Sequence, residues 1–494
     1  MSKPPFPVVR CAGLAAVAAL VGACAVGPDF VRPGPPDADR YSREAQPAAT
    51  AAAGGVAQSF ASDRTLPSNW WLLFKSAPLD VMVRQAIANN PTLQASEASL
   101  RQSQDNLRAG YGVFYPQVGA DLDVRRERTE PLQQGLQTSG SIFNLVTVSG
   151  TIGYALDVFG GERRTVEGLQ AQADFQFFAD KAAYLTLSAN VVDAGIARAA
   201  YVAQIRATRE LIDLENQQFR LTAVQVSAGT EPYSNLLAVR SLIAANQAML
   251  APLEQKISQA EDLLATLEGV VPEKADLPDI DLRDLSLPTA LPVSLPSDLV
   301  RQRPDILSAE AQLHAASANI GVATAALFPS ISLTGTYGAA GTGFGSLSAA
   351  NARFWSIGPS ATLPVFQGGA LWYGRKAAID AYRQSQASYR QTVLNAFAQV
   401  ADSLKALEHD AEALQAQSDA VDAARDQLAL LQANYGAGLV AYPDVLVADV
   451  EFHAATVAYL QALAQRHQDT VALFVALGGG WWNSPLPAAE SAGP

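Results

Sequence analysis

Residues able to do covalent or acid–base chemistry are few and scattered in this 494-residue chain. Its two cysteines, Cys11 and Cys24, both lie in the first 24 residues, and its four histidines, His314, His409, His453 and His467, stand far apart on helical patterns. A metal or hydrolytic centre needs its ligands, or a nucleophile and base, at short fixed spacings, and no His-Glu-x-x-His, phosphate loop, nucleophile elbow or zinc spacing occurs. His453 and His467, fourteen apart, can share a helical face, yet packing or surface roles suit them better than a metal. No catalytic or metal-binding residue is expected, and no enzyme.

The residue with the clearest chemical fate is Cys24. Lys3 and Arg10 make a positively charged start, and residues 12–23 form an apolar run too short to cross a bilayer, so residues 1–23 read as a cleaved export signal. Val21-Gly22-Ala23 directly before Cys24 resembles the lipobox of bacterial lipoproteins. The expected product begins at Cys24 with a covalent lipid, a diacylglyceryl thioether plus an N-acyl chain, and takes no other cofactor; the alternative is a plain signal peptide with a leftover cysteine. With Cys11 removed and Cys24 lipidated, no thiol remains for a disulfide. Loss of Lys3 and Arg10 takes the formal charge from −13 to −15, with no basic stripe, which argues against nucleic acid as a partner. No other run supplies about 20 apolar residues, so no transmembrane helix is expected. An exported, lipidated chain that also spans a membrane must then do so with strands.

The elements that would position any site occur twice. Asn90-Pro91 opens a helical run that stops at Phe114-Tyr115-Pro116, and Arg303-Pro304 opens one that stops at Leu327-Phe328-Pro329. Each pair of prolines lies 25 residues apart, and Glu97 and Leu100 fall on Glu310 and Leu313 at the same offset of 213. Further along, Leu156-Asp157-Val158-Phe159-Gly160-Gly161 is echoed by Leu363-Pro364-Val365-Phe366-Gln367-Gly368-Gly369, and Ala228-Gly229 with Tyr233 by Ala437-Gly438 with Tyr442 at an offset of 209. Unequal loops absorb the drift. The chain is an internal duplication.

After Pro116, Val118, Ala120, Leu122 and Val124 alternate with Gln117, Gly119, Asp121, Asp123 and Arg125, the period-two pattern of a strand. Three further runs alternate likewise: Val148, Ile152, Tyr154 and Leu156; Ile331, Leu333 and Tyr337; Trp355, Ile357, Ala361 and Leu363. Each approaches the roughly 9–11 residues of a tilted membrane strand. A half-buried sheet in a soluble domain alternates too, but fourfold recurrence in an exported chain favours lipid. Backbone groups in lipid must all be paired and small barrels begin at about eight strands, so four strands per chain demand partners. Pro359 removes a ladder bond and predicts a bulge or bend in the last strand.

No proline interrupts residues 160–231 or 365–442, and a helix of about 70 residues spans roughly 100 Å. Val393, Val400, Leu407, Leu414, Val421, Leu428 and Tyr435 recur every seven residues, as do Ile205, Ile212, Phe219 and Val226, which predicts coiled-coil packing. This stripe reads as core, with no functional residue in its regular beat. Residues 236–267 and 445–477 are return helices, the first broken or kinked at Pro252. The expected plan is a signal peptide 1–23, an N-terminal lipid-anchored segment 24–78, a first repeat 79–270 (β-hairpin about 116–159, helical hairpin about 160–269), a Pro-rich linker 271–296, a second repeat 297–478 (β-hairpin about 329–366, helical hairpin about 369–478) and a tail 479–494.

Several stretches carry a specific likeness. Cys24-Ala25-Val26-Gly27-Pro28-Asp29-Phe30 with Arg32-Pro33, Trp70-Trp71 with Phe74, Asn90-Pro91, Arg301-Gln302-Arg303-Pro304-Asp305-Ile306 with Ala309-Glu310, Phe328-Pro329 and Ile357-Gly358-Pro359 resemble the TolC-like outer-membrane factors, in particular the lipidated, NodT-like efflux proteins. The resemblance covers essentially the whole mature chain. It implies a mixed α and β, mostly helical fold: a homotrimer with a twelve-stranded β-barrel in outer-membrane lipid, continuous with a twelve-helix α-barrel in the periplasm. The implied function is a passive exit duct for small molecules, docked to a periplasmic adaptor and an inner-membrane pump, with a lean toward resistance-nodulation-division pumps. A type I secretion duct and a lipid-anchored coiled-coil scaffold without a pore are the alternatives.

By the same resemblance the two helical turns form a periplasmic mouth. Gly229, Thr230 and Glu231 in one and Gly438, Leu439 and Val440 in the other lie where adaptor tips dock, although the glycines also serve the turns themselves. Asp444 aligns with an acidic residue that rings the inside of the mouth, where threefold symmetry would gather three carboxylates and favour cations. A helix-start aspartate on the helix dipole is the other reading. Tyr435 matches a tyrosine that latches the closed state in some relatives. Here the partner position holds Asn235, the basic latch position holds Val440, and a second inner acidic position holds Val447. The expected latch is therefore packing plus a neutral contact of Tyr435 with Asn235 or Ser234, weaker than a charge-assisted one.

Overall fold

The computed structural model describes residues 25–44, 46–53, 56–61, 65–128 and 140–483; Cys24, the expected export signal and residues 484–494 lie outside them. In chain order, β1 (Ser59–Ala61), α1 (Ala77–Asn89) and α2 (Pro91–Gly110) lead into β2 (Gln117–Arg128), β3 (Ile142–Leu156), α3 (Gly161–Ser227) and α4 (Tyr233–Leu267). After β4 (Ala290–Pro292) and α5 (Pro296–Gln302) the series returns as α6 (Pro304–Ala325), β5 (Ser330–Gly341), β6 (Arg353–Thr362), α7 (Ala370–Gly436) and α8 (Tyr442–Ala476). The long helices α3 and α7 each have 67 residues, and α4 and α8 each have 35. Every boundary of the second pair lies 209 residues beyond its counterpart, the offset seen in the sequence.

Two compact units divide the chain, and α3 and α7 contribute residues to both. One unit, made of the stretch up to Arg32, Leu100–Gln176 and Ala309–Tyr389, holds a four-stranded antiparallel sheet in the order β2-β3-β5-β6. Its register pairs Val118 with Ile152, Leu122 with Val148, Tyr154 with Leu333, and Tyr337 with Trp355. Directly opposed residues share a face, so the alternating apolar residues of all four strands lie on one side and Asp121, Asp123, Thr151, Thr334 and Ser356 on the other. Val118, Leu122, Trp355 and Ile357 are left open to the surroundings. Phe143 and Phe354 depart from the pattern and sit on the polar side, opposite Glu127 and Gly338.

The expected bulge at Pro359 is absent. The register runs through it without a slip, with Leu333 opposite; within one chain β6 is the edge strand of the sheet, a place where proline is tolerated. In the same unit the N-terminal stretch straps onto the start of α3 and onto α6. Val26 N–H donates to Phe159 O at 2.9 Å, the Arg164 guanidinium grips Asp29 at 2.6 Å and Glu167 at 2.7 Å, and Arg32 meets Glu310 at 2.6 Å. Phe30 stacks on His314 at 4.3 Å, and His314 Nε2 lies 2.9 Å from Glu167. Asp157 accepts from the N–H groups of Glu162 and Arg163, which satisfies donors that a helix start leaves open.

The other unit, Pro33–Ser99, Phe177–Ser308 and from Arg390 onward, has its core where Trp70, Phe74, Leu79 and Met82 pack on Phe474 and Leu264, all fully buried. Each such side chain contributes about 1.5–3 kcal/mol. The specific Arg303-Pro304-Asp305 run has a structural use: Pro304 begins α6, and the buried Arg303 guanidinium donates to Asp305, to Gln399 Oε1 at 2.7 Å and to Ala476 O at 2.8 Å. Arg466, fully buried, ties the segment before α1 to α8 through Gln58, Thr50 and Val56 O. The segment between α4 and α5 pairs with the N-terminal one, β4 running parallel to β1.

Of the break or kink expected at Pro252, the break does not occur: α4 runs through it. Another expectation about α4 needs correction. One 18-residue window of α4 has a mean hydropathy of 1.4, so by length and composition this helix is apolar enough to cross a membrane, against the expectation that no such helix exists. Arg240-Ser241, Asn246-Gln247 and Pro252 interrupt that run when unbroken apolar stretches are counted. Val239 and Ile243 of α4 spend their apolar surface in a cluster with Ile212 of α3, Leu428 of α7, and Tyr442, Val445 and Ala448 of α8.

Candidate functional site

The cluster just described joins both helical hairpins beneath their two turns, which lie in one unit. Each turn is built the same way. Gly229 and Gly438 adopt φ of 74° and 73°, a left-handed conformation that costs a residue with a Cβ about 1–2 kcal/mol. Thr230 N–H returns to Gln225 O at 3.0 Å and Gly229 N–H to Val226 O at 3.1 Å; Leu439 returns to Asn434 O and Gly438 to Tyr435 O, both at 2.9 Å. These paired bonds close a helix end on a left-handed glycine and satisfy its last carbonyls. Gly229, Thr230, Gly438 and Leu439 are exposed at the tips, while Glu231 and Val440 are half-buried.

The residues singled out as a latch do converge, through a group assigned a different role. The Tyr435 hydroxyl donates to Glu231 Oε1 at 3.2 Å and lies 3.4 Å from Gln225 Oε1. Asn235 Nδ2 donates to the other oxygen, Glu231 Oε2, at 2.7 Å. Tyr435 and Asn235 thus meet on one carboxylate instead of touching each other, and the contact is charge-assisted where a neutral one was expected. Glu231, read from sequence as an adaptor-docking residue, stands at its centre. Ser234 is exposed and has no bond to Tyr435 among the described residues. Burial, then the Glu231 charge, raises the Tyr435 phenol above its usual pKa, so it stays a donor at neutral pH. The Tyr435 and Tyr442 rings lie 5.2 Å apart.

Asp444 sits in the first turn of α8, exposed, its Oδ2 accepting Ala441 N–H at 3.1 Å. Within one chain this is a helix-start aspartate. Deeper in the seam lies a second polar group that sequence reasoning missed. Glu215 of α3 is buried, accepts Asn246 Nδ2 of α4 at 2.7 Å, and has its other oxygen without a hydrogen-bond partner among the described residues. Burial and the facing Asp449 of α8 push Glu215 up to about 7, and burial pushes Asp449 up to about 6. A signal existed: Thr208, Glu215 and Thr222 recur seven apart, three residues after heptad positions Ile205, Ile212 and Phe219, and all three are buried.

Two of the histidines serve packing. His453 and His467 are buried, and burial followed by the Arg466 charge takes His467 down to about 4. His467 lies 5.9 Å from Phe74, and His409 is exposed beside Glu412. The groups around the turns therefore make hydrogen bonds and present charge; none is arranged to make or break covalent bonds.

Comparison with known proteins agrees with this architecture. The family model described as outer membrane efflux protein matches residues 82–270 and 295–479. The toluene efflux pump outer membrane protein TtgC of Pseudomonas putida is 28% identical over 486 residues, 97% of this chain and 97% of its own. The probable outer membrane lipoprotein SilC of Salmonella typhimurium is 26% identical, over 94% of this chain and 96% of its own. The outer-membrane channel OprN superimposes with a TM-score of 0.83 at 26% identity, covering 93% of this chain and all of OprN. With the duplicated hairpins, the apolar-faced sheet and a family match over most of its length, the chain belongs to the outer membrane efflux protein family, a family of outer-membrane channels and not of enzymes.

Proposed function

We propose that three copies of this chain close one pore: a twelve-stranded barrel in the outer membrane, four strands per copy, leading into a tunnel of twelve helices across the periplasm. The observation that carries this reading is the sheet itself, which has one apolar face and two edge strands, β2 and β6, unpaired among the described residues. In lipid each unpaired backbone group costs several kcal/mol. Pairing β6 of one copy with β2 of the next removes every edge and preserves the antiparallel order. The duct is passive, and its tips at Gly229, Thr230, Gly438, Leu439 and Val440 receive a periplasmic adaptor that links it to an inner-membrane pump of the resistance-nodulation-division type. Cys24 carries the lipid anchor. Support comes from its neighbour Ala25, packed against Gly160 where β3 gives way to α3.

Outer-membrane fractions run with and without boiling, together with planar-bilayer recordings of the purified protein, test the reading. The expected result is a heat-sensitive species of three chains that conducts ions. A monomer, or a trimer that conducts nothing, would leave a lipid-anchored scaffold as the function instead.

A further inference from the structure

The register sorts the arginines at the loop ends of the strands by face. Arg125 lies on the polar side with Asp123 and Glu127, 3.5 Å from each. Arg126 and Arg128 continue the apolar side of Val118, Leu122 and Val124 and stand opposite Asn144 and Ile142 of β3. Arg353 opens β6 opposite Ala339, which faces Val148 across the other ladder, so it too belongs to the apolar side. Arg126, Arg128 and Arg353 are exposed, and among the described residues none has an ion-pair partner. Arg128 is the last residue of β2 and Arg353 the first of β6, the strand ends that meet loops and not those that continue into helices.

On a lipid-facing surface this arrangement favours an anion. An arginine facing lipid costs about 2–4 kcal/mol at the bilayer midplane and about 0–1 near the interface. The strands enter and leave the helices at their opposite ends, so in the proposed duct the loop ends face outward, at the level of the outer-leaflet headgroups. That leaflet is built from a glycolipid bearing phosphates, and the guanidinium fork matches phosphate oxygens bidentately. Closing the barrel by pairing β6 with the neighbour's β2 puts Arg353 of one copy on the strand beside Arg126 and Arg128 of the next.

We infer that Arg126, Arg128 and Arg353 form a phosphate-binding site for the outer-leaflet glycolipid, repeated at each seam between copies. The seam rests on the proposed trimer; the face of each arginine is read within one chain. The site holds lipid against the join where two open edges meet, at the end of the strands farthest from the helices. Arg125, equally charged and adjacent in sequence, faces the other way and takes no part.

Native mass spectrometry of the protein released from nanodiscs of phosphatidylethanolamine containing diphosphoryl lipid A tests this. The wild type should retain lipid A, and the triple variant Arg126→Ala, Arg128→Ala, Arg353→Ala should retain about tenfold less, the equivalent of one charge-assisted contact of about 1.4 kcal/mol. Arg125→Ala should match the wild type, and the triple lysine variant, which keeps charge without the fork, should fall between. Phosphatidylglycerol at equal charge should not displace the glycolipid. Equal retention by the triple alanine variant, an equal loss in Arg125→Ala, or displacement by phosphatidylglycerol would each overturn the site. The same spectra count chains: a wild type that is not trimeric defeats the proposed pore, while lipid retention dependent on Arg126 and Arg128 in single chains would still uphold the arginine face.

Discussion

The two helical tips share one backbone and differ in almost every side chain that matters. Both end a 67-residue helix on a left-handed glycine and begin a 35-residue helix at a tyrosine. At the common offset of 209, Glu231 of the first tip falls on Val440 of the second, Asn235 on Asp444, and Val226 on Tyr435. Even the shared tyrosine diverges, Tyr233 being 61% exposed and Tyr442 4%. Duplication therefore supplied a symmetric frame, and divergence turned it into a complementary pair in which one tip carries the acceptor Glu231 and the other the donor Tyr435. The hydrogen bond that joins the two hairpins of one chain uses residues at which the copies differ.

Copying the second tip onto the first should have the largest effect. In Glu231→Val, both Tyr435 and Asn235 lose their acceptor. Hydrogen bonds to a charged group contribute about 1.5–3 kcal/mol, so the open probability of the reconstituted channel should rise roughly tenfold. Tyr435→Phe should give a part of this, about threefold, and should add nothing in the double variant, since residues sharing one contact are not additive. Full additivity of the two would show that Tyr435 acts elsewhere.

A smaller effect, read through pH, again tells the two halves apart. The Glu215 and Asp449 pair bridges the hairpins, from α3 to α8, and the position equivalent to Glu215 in the second half is Ala424. Folding raises both carboxyls, to about 7 and about 6. The stability they confer is complete below the ordinary carboxylate range and is lost as pH rises through those values. Thermal unfolding of the wild type should therefore occur at lower temperature at pH 8 than at pH 5, and Glu215→Gln should flatten that difference, by about 1–2 kcal/mol. A variant with the wild-type pH slope would exonerate the pair.

The smallest effect is at Asp444. Asp444→Asn should change stability by less than about 0.5 kcal/mol, as befits an exposed helix start. In the proposed trimer, three lost charges should lower cation preference in bilayer recordings. Selectivity unchanged within error would leave Asp444 as a helix-start residue alone.

Periodicity made most of the architecture legible. The seven-residue beat of Val400, Leu407 and Leu414, all buried, and the alternation that the register sorts onto one face of the sheet are local repeats, visible without any tertiary contact. Exceptions to periodicity were harder to read. Pro359 slips no register in its edge strand, and Pro252 does not end α4; neither outcome is contained in a proline's own neighbours. The tip residues were recognisable one by one, but their wiring was not. Tyr435 and Glu231 are 204 positions apart, and which side chain reaches which depends on how the end of α7 packs against the first tip.

By itself the sequence determined the repeating parts, two β-hairpins and two long helical hairpins, because hydrophobic period and turn-forming residues act over a few positions at a time. Only the tertiary structure decided that Glu231 is shared by Tyr435 and Asn235, that Glu215 confronts Asp449 inside the seam, and that Arg353 joins Arg126 and Arg128 on one side of the sheet. Those outcomes follow from pairing register and helix packing, which bring together residues hundreds of positions apart and leave no mark on the local pattern.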